Sequence, residues 1–423
     1  MYGESIHGSI TNLSLVPRSL RILHVAPYSG DAWAYGGIPR LVQTLTRGLA
    51  RRGHQVTLCT TDAADESARL QNQADPRSGV HAAWPAIRTA DNVEVRVFPN
   101  VSNRLAYHLQ LFLPIGLNRY LSEHARDFDV AHLHACRNIP GAIAARHLHR
   151  TGVPYVLAPN GTAPRIERRR FAKRIFDAVM GRRMLGEAAR VLAVSHAELR
   201  QFEGLGIESR IVRLVPNPVD LDEFSPLPAR GRLRARLGLP SASATPLVMF
   251  LGKLTPRKHV DVLVRAFARL SDERARLVIA GNDMGTGAGI RAVVRELGLE
   301  RRTLFTGLLR GRERLEALVD ASVVVYPSED EIFGLVPLEA LLVGTPVVVA
   351  GDSGCGEVVS RTGGGQVVPC GDLDRLVRAI EEVLDSPSAW GTEAAARRIR
   401  AAYGGDVICA ALEQVYEEMV IAA

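Results

Sequence analysis

The chain has 423 residues, 47% of them hydrophobic and 23% charged, with a formal net charge of +7. That length exceeds one ordinary core and that composition excludes a disordered chain, so two soluble globular domains are expected. The positive balance suits an anionic ligand or surface, but aromatics at 5%, with no recognition helix or stacking platform in view, argue against nucleic acid as a partner.

In chain order, Met1–Ser19 lacks a basic start followed by an apolar core and reads as a flexible tail (1–20), not a secretory signal. No apolar run reaches the ~18 residues that would span a bilayer. Short β-branched runs then alternate with longer helical stretches, the pattern of parallel sheets with crossover helices. The expected strands of the first half are 21–26, 55–60, 93–98, 130–134, 155–158, 191–194 and 211–215. Those of the second half are 247–251, 277–280, 303–305, 323–326, 346–350 and 366–368. Between the halves lies Val215-Pro-Asn-Pro-Val219, followed by Ser225-Pro-Leu-Pro228, which continues neither a helix nor a central strand. The hinge is placed there, dividing a first domain (21–216) from a second (217–395). Residues 396–423 read as two terminal helices broken at Gly404-Gly405, the last returning to the first domain. Pro76–Pro85 reads as a surface loop. The five cysteines are scattered without a CxxC pair, which points to a reducing compartment, the cytoplasm.

Three segments carry chemistry. Gly36 and Gly37 stand at a strand-to-helix turn, where backbone N–H groups can approach an anion and the helix start adds partial positive charge. The GxGxxG of a dinucleotide site is absent, and a simple tight turn is the plainer reading. The second domain opens with a strand, then Gly252-Lys253 and Lys258, two ammonium groups at the crevice where open α/β sheets bind ligands. A solvated basic turn is the alternative. The third segment is Glu331-Ile-Phe-Gly-Leu-Val-Pro-Leu-Glu339. Glu331 precedes a helix that begins at Gly334-Leu335, and Glu339 lies more than a turn inside it. The two carboxylates therefore face different parts of one ligand. The amides of Leu335 and Val336 are expected to meet phosphate, Glu339 the ribose, and Glu331 the far sugar. A carboxylate in so apolar a helix needs partners.

With these residues in hand, the chain resembles the retaining glycosyltransferases of family 4, of the GT-B fold, from Arg21 onward. The matching pieces are Gly36-Gly37-Ile38, Asp129-Val-Ala-His-Leu-His134, Val215-Pro-Asn217, Gly252-Lys253 with Lys258, Phe305-Thr-Gly307 and Tyr326-Pro-Ser328. The pair Glu331 and Glu339, with Phe333-Gly334, completes them. The resemblance implies an α/β architecture of two facing Rossmann-like, doubly wound parallel-sheet domains with an interdomain cleft. It implies an acceptor-binding first domain, a donor-binding second one, and transfer from a nucleotide-sugar with retention, without a bound metal or other cofactor. Donor contacts are then expected from Gly36, Gly37, Phe333, Gly334, Leu335, Val336 and Glu339, with Glu331, Lys253 and Lys258 at the chemistry. Two departures stand out. Lysine occupies position 253 where the family usually has arginine, so a bidentate phosphate contact becomes a point charge. Asn160 stands where the family commonly has histidine; it can contact a sugar hydroxyl but cannot act as a base near neutral pH.

His132 and His134 lie two apart on a strand and face the same way, but a zinc site from them lacks a third ligand in sequence. His134 is expected to serve a structural or acceptor-site role. From Arg165 to Arg183 the sequence holds eight Arg or Lys against Glu167 and Asp177. Phe171, Ile175 and Val179 share one stripe of that segment, which reads either as packing on the core or as a face docking reversibly on an anionic membrane. The acceptor class implied is a glycan or polyprenol-linked oligosaccharide of the bacterial surface. Competing readings are a nucleotide-sugar epimerase or hydrolase, and a catalytically weak sugar-nucleotide-binding subunit.

Overall fold

The computed structural model describes residues 19–30, 32–70, 86–164, 174, 176–239 and 245–422. The tail up to residue 18, the loop Pro76–Pro85, and residues 165–173 and 175 of the basic segment lie outside the described residues.

The first sheet holds β1 (Arg21–Val25), β2 (Gln55–Thr61), β3 (Ala86–Arg88), β4 (Glu94–Phe98), β5 (Val130–His134), β6 (Tyr155–Ala158), β7 (Arg190–Ala193) and β8 (Val212–Leu214). Their order is β3-β4-β2-β1-β5-β6-β7-β8. Every pairing is parallel except that of β3, a three-residue edge strand antiparallel to β4. β3 is the one strand here that the pattern of apolar runs did not announce. It is too short to show a period, and none of its residues is buried.

The second sheet holds β9 (Leu247–Leu251), β10 (Arg276–Ala280), β11 (Thr303–Gly307), β12 (Val323–Tyr326), β13 (Val347–Ala350) and β14 (Gly365–Val368). It runs β11-β10-β9-β12-β13-β14 and is wholly parallel. Strands β9, β12 and β13 are continuous hydrophobic runs because helices cover both faces of the sheet and bury every residue in them. In both sheets the strand order reverses beside the first strand, between β1 and β5 and between β9 and β12. Loops leaving the carboxyl ends at those points open a crevice, the usual ligand position in such sheets.

Ile22, Val130 and Val156 pack one face of the first sheet on helices Ile38–Arg51 and Gly405–Ala422. Leu23, Val25 and Leu133 pack the other on Leu117–His124 and Ile139–Thr151. The last helix therefore lies on the first domain. Arg52 and His54 both reach its buried Glu413, at 2.6 and 2.8 Å. The chain crosses between domains twice, and the crossings touch: Val219 N–H donates to the Tyr403 carbonyl at 2.7 Å, and Val219 bridges Gly404.

Candidate active site

The motifs that lie hundreds of residues apart in sequence meet across the cleft. Gly36 sits at φ +90°, and a Cβ there would stand 3.0 Å from Lys253 Cε and 3.2 Å from its Nζ. The positive φ favours glycine, and a side chain there would also make the lysine end shift. Lys253 Nζ donates to the Tyr35 carbonyl at 3.3 Å, which closes the contact. The equivalent point on Gly37 is 3.1 Å from Leu335 Cδ1. Farther along, Gly161, at φ +79°, would place a Cβ 2.8 Å from Ile332 Cγ1. The turns Gly36-Gly37 and Asn160-Gly161 thus flank the segment Glu331–Leu335 of the opposite domain.

Glu331 and Lys258 form an ion pair with each other. The same Glu331 oxygen accepts from the Tyr326 and Ser328 hydroxyls, each at 3.2 Å, and Lys258 Nζ donates to Tyr326 Oη at 2.6 Å. Burial works to raise the Glu331 carboxyl, but the Lys258 ammonium overrides it and holds the group below its ordinary value. Lys258 is itself buried. Of the two lysines expected at the chemistry, Lys258 is the one whose ammonium is engaged by protein, in fixing Glu331. Lys253 is half-buried at the cleft.

Glu339 is wholly buried, and here its partners are protein cations. Arg40, from the first turns of the first domain's Ile38–Arg51 helix, donates to Oε1 at 2.6 Å. Arg314 forms an ion pair at Oε2, without hydrogen-bond geometry. Glu223 of the interdomain linker accepts from Arg40 at 2.9 Å and also from Arg314. Two guanidiniums and two carboxylates balance, and Trp33 lies within 5.5 and 5.9 Å of the two guanidinium carbons. Burial would raise the Glu339 carboxyl, but Arg314 and then Arg40 beside it hold it below its ordinary range. The sequence predicted partners for this carboxylate and named a ribose. Arg40 and Arg314 were missed because they sit 299 and 25 positions away with no local spacing to betray them.

The helix Leu335–Leu342 begins behind Gly334, whose φ of +74° provides the cap without any side-chain bond to the first amides. Leu335 and Val336 are half-buried, and Leu335 Cδ1 lies beside the Gly37 turn of the first domain. Phe333 does not face the cleft as a donor contact. It is buried against Tyr403, edge to face at 5.6 Å, because the aromatic ring is what seats this segment on the domain's own core.

His134 takes the structural one of its two expected roles. It is fully buried and stacked with His24 and His132, ring centroids 4.2–5.3 Å apart and planes within 28°. Burial lowers His134 to about 3, and burial first, then the neighbouring imidazoles, lowers the other two. His24 supplies the third imidazole that sequence spacing could not show. One ring nitrogen of each lies within 4.8 Å of the others, but His24 Nδ1 and His134 Nε2 already bond each other at 3.0 Å. His132 shares a 2.7 Å bond with Tyr416 of the last helix. The trio is a neutral stack that seats this helix. Asn160 shares the walls of a small crevice with His134, Pro216 and Asn217. Its backbone sits at φ +51°, Nδ2 donates to the Ala158 carbonyl at 3.3 Å, and buried Oδ1 has no partner among the described residues.

Comparison with known proteins shows the family and the fold. Residues 35–223 match the family described as Glycosyltransferase Family 4, and 234–404 match Glycosyl transferases group 1. The chain is 32% identical to a D-inositol 3-phosphate glycosyltransferase of Xylanimonas cellulosilytica over 93% of either chain. It is 30% identical to one of Kineococcus radiotolerans, over 93% of this chain and 92% of that one. A 2-deoxystreptamine glucosyltransferase of Streptomyces kanamyceticus is 33% identical over 44% of this chain and 48% of its own. The fold is shared with the Anabaena protein HepE in complex with UDP and glucose, at TM-score 0.72, 18% identity, and coverage of 94% of this chain and 100% of that one. Sucrose-phosphate synthase of Thermosynechococcus elongatus gives TM-score 0.72 and 22% identity, over 95% and 99% of the two chains. With the two doubly wound sheets, the Glu331–Glu339 spacing and full-length relatives in agreement, the chain belongs to glycosyltransferase family 4 and has the GT-B fold.

Proposed function

We propose that this glycosyltransferase moves a sugar, with retention, from a UDP-, GDP- or ADP-sugar to a hydroxyl of its acceptor. The observation that carries the reading is the convergence of Lys253, the Gly36-Gly37 turn and the start of helix Leu335–Leu342 on one spot of the cleft. As the anomeric C–O bond breaks, negative charge grows on the leaving diphosphate, and positive charge or N–H donors aimed at it stabilise the transition state. Glu331, locked by Lys258, Tyr326 and Ser328, positions the sugar and supports its positive character. Glu339 takes the ribose hydroxyls. A carboxylate accepts several hydrogen bonds, and Arg40 remains paired with Glu223 if a ribose displaces it from Glu339. Asn160 Oδ1, buried and unpartnered, is a ready acceptor for a sugar or acceptor hydroxyl.

For the acceptor we propose a surface glycan or polyprenol-linked oligosaccharide, met at the inner face of the membrane. Its support is the basic run of the sequence from Arg165 to Arg183 and, at the described end of that run, Val179 at 67% and Met180 at 40% exposure beside exposed Arg182. No described helix is long and apolar enough to cross a membrane. A second reading, a soluble cyclitol acceptor, is favoured by relatives named for D-inositol 3-phosphate and 2-deoxystreptamine.

One assay decides among these. Nucleoside diphosphate release is followed with UDP-, GDP- and ADP-sugars, alone and with D-inositol 3-phosphate or a polyprenol-linked acceptor, with EDTA present. Release that depends on acceptor and survives EDTA supports transfer from Lys253-based charge stabilisation. Release or epimerisation that ignores every acceptor overturns it.

A further inference from the structure

Across the cleft from Glu331, one buried acid has no role in the reading above. Glu198 lies in the first turn of the helix His196–Gly204 and is wholly buried. Its sequence setting, Ser195-His-Ala-Glu198, is that of a capping box, and Ser195 Oγ does accept from Glu198 N–H at 3.2 Å. The glutamate does not return to Ser195. One oxygen accepts the Val194 N–H at 3.0 Å, and the other accepts the Gly161 N–H at 2.7 Å. That second bond ties the helix to the turn carrying Asn160.

The turn needs tying. Asn160 and Gly161 both hold positive φ, +51° and +79°, a conformation that is unfavourable for a non-glycine residue. Ile332 of the opposite domain lies so near Gly161 that an added Cβ would meet its Cγ1 at 2.8 Å. Other ties hold the C-terminal side of the turn: Thr162 Oγ1 donates to the Pro159 carbonyl at 2.6 Å, and Arg137 binds the carbonyls of Thr162 and Ala163. Among the described residues, Glu198 is the side chain that holds the Gly161 amide itself.

We infer that Glu198 is a positioning residue for glycosyl transfer: as a carboxylate it holds the Asn160-Gly161 turn in place, and on taking up a proton it releases it. The inference rests on the proposed role of Asn160 at the sugar or acceptor. Two N–H donors need two acceptor oxygens. A protonated carboxyl brings a third hydrogen into a pocket whose two bonds already come from donors, so one bond is lost. Burial raises the group to about 7, against the pull of the Gly161 and Val194 amides. Ionisable groups nearby are the Cys136 thiol, pushed up to about 11 by burial, the Arg137–Asp177 pair, and Glu357 of the second domain, which pairs with His196 and Arg200. The device therefore works close to neutral pH.

Hydrogen–deuterium exchange of peptides covering residues 156–163 tests this in the whole protein, with rates corrected for the intrinsic effect of pH. Protection in wild type is expected to fall about tenfold from pH 8 to pH 6, and Glu198→Gln is expected to be poorly protected at both. Constant protection across that range in wild type overturns the inference without recourse to any variant. With the donor and acceptor pair that the panel above turns over, kcat/KM of wild type should fall on the same acid limb, about tenfold per pH unit. Glu198→Gln should lose that limb and be reduced about 10- to 100-fold at pH 8, by misplacement of a contact. An exchange transition with no acid limb in kcat/KM would leave Glu198 as a tie of the turn but sink the assignment of Asn160. Nucleotide binding, which belongs to the other domain, should be equal in both proteins.

Discussion

Glu198 and Glu339 are both fully buried carboxylates at one cleft, and they behave oppositely. Each is desolvated, which alone pushes a carboxyl upward. Glu198 meets only backbone amides and rises to about 7. Glu339 lies between Arg40 and Arg314 and falls below its ordinary value. Partner type therefore decides the sign. Dipoles can orient a buried acid while leaving it able to titrate, whereas guanidiniums fix it as an anion. The first domain carries an acid raised to about 7, the second an acid held below its ordinary range.

The sharpest way to break the comparison is to remove each acid of the second domain. Glu339→Ala leaves Arg40 and Arg314 buried with only Glu223 between them. Stripping one partner from such a cluster costs about 3–5 kcal/mol, so thermal unfolding should move down markedly and nucleotide affinity, by calorimetry, should fall. Glu331→Ala should spare nucleotide affinity and collapse turnover. Equal loss of affinity in both variants would count against the division of labour between the two glutamates.

Lys253 and Lys258 extend the contrast to cations. Lys253→Met should cost about 2–4 kcal/mol in transition-state stabilisation, read as kcat/KM, because it removes charge aimed at the leaving group. Lys258→Met should also lower kcat/KM, but by unlocking Glu331. Its loss should be largely absent when Lys258→Met is added to Glu331→Gln, since one interaction cannot be removed twice. Additive losses would return Lys258 to direct contact with the diphosphate.

How much of this was readable in the sequence follows from the range of each interaction. β12 and β13 announced themselves as valine runs, and Gly36, Gly37, Lys253, Glu331 and Glu339 could be marked because strand-end glycines and helix-start acids have local spacing. Their meeting at the cleft followed from topology. Lys258's true partner could not be read, because whether an ammonium faces a ligand or a carboxylate 73 positions on is decided by packing. Arg40, Arg314 and His24 are ordinary residues of their own helices and strand, and only the fold brings them to Glu339 or to His134. Glu198 left one trace, the Ser195-x-x-Glu198 box, which speaks of a helix cap and says nothing of Gly161.

The pH dependence of stability separates the two buried acids next. Glu198 is raised above its unfolded value of about 4.5, so its stabilising contribution is complete below that value and is lost as pH climbs toward 7. A rise to about 7 corresponds to roughly 3 kcal/mol. Wild type should therefore lose about that much stability relative to Glu198→Gln between pH 4.5 and pH 7.5, by denaturant unfolding. Glu339 is depressed, so its contribution is present above about 4.5 and fades only as pH falls below it. Relative to Glu339→Gln, wild type should show no slope across the neutral range. A neutral-range slope for Glu339 would mean that its guanidinium partners are absent in solution.

The smallest expected effect comes from a second pair joining the same two domains. Arg200 meets Glu357 at 3.1 Å, a guanidinium–carboxylate contact like that of Arg40 and Glu339, but with side chains 62% and 25% exposed against 13% and 0%. Water already solvates Arg200, and a freed Glu357 keeps its bonds to His196. Arg200→Ala should therefore cost no more than about 0.5 kcal/mol, and salt should erase even that, because exposed pairs are screened within a Debye length. Arg40→Ala removes a partner from an acid that water cannot reach, so its larger cost should persist in 1 M NaCl. Chemical denaturation by urea at low and high salt measures both. If the two variants respond alike, burial is not what separates the latch at Glu339 from an ordinary surface pair, and the contrast drawn between the cleft's carboxylates loses its physical basis.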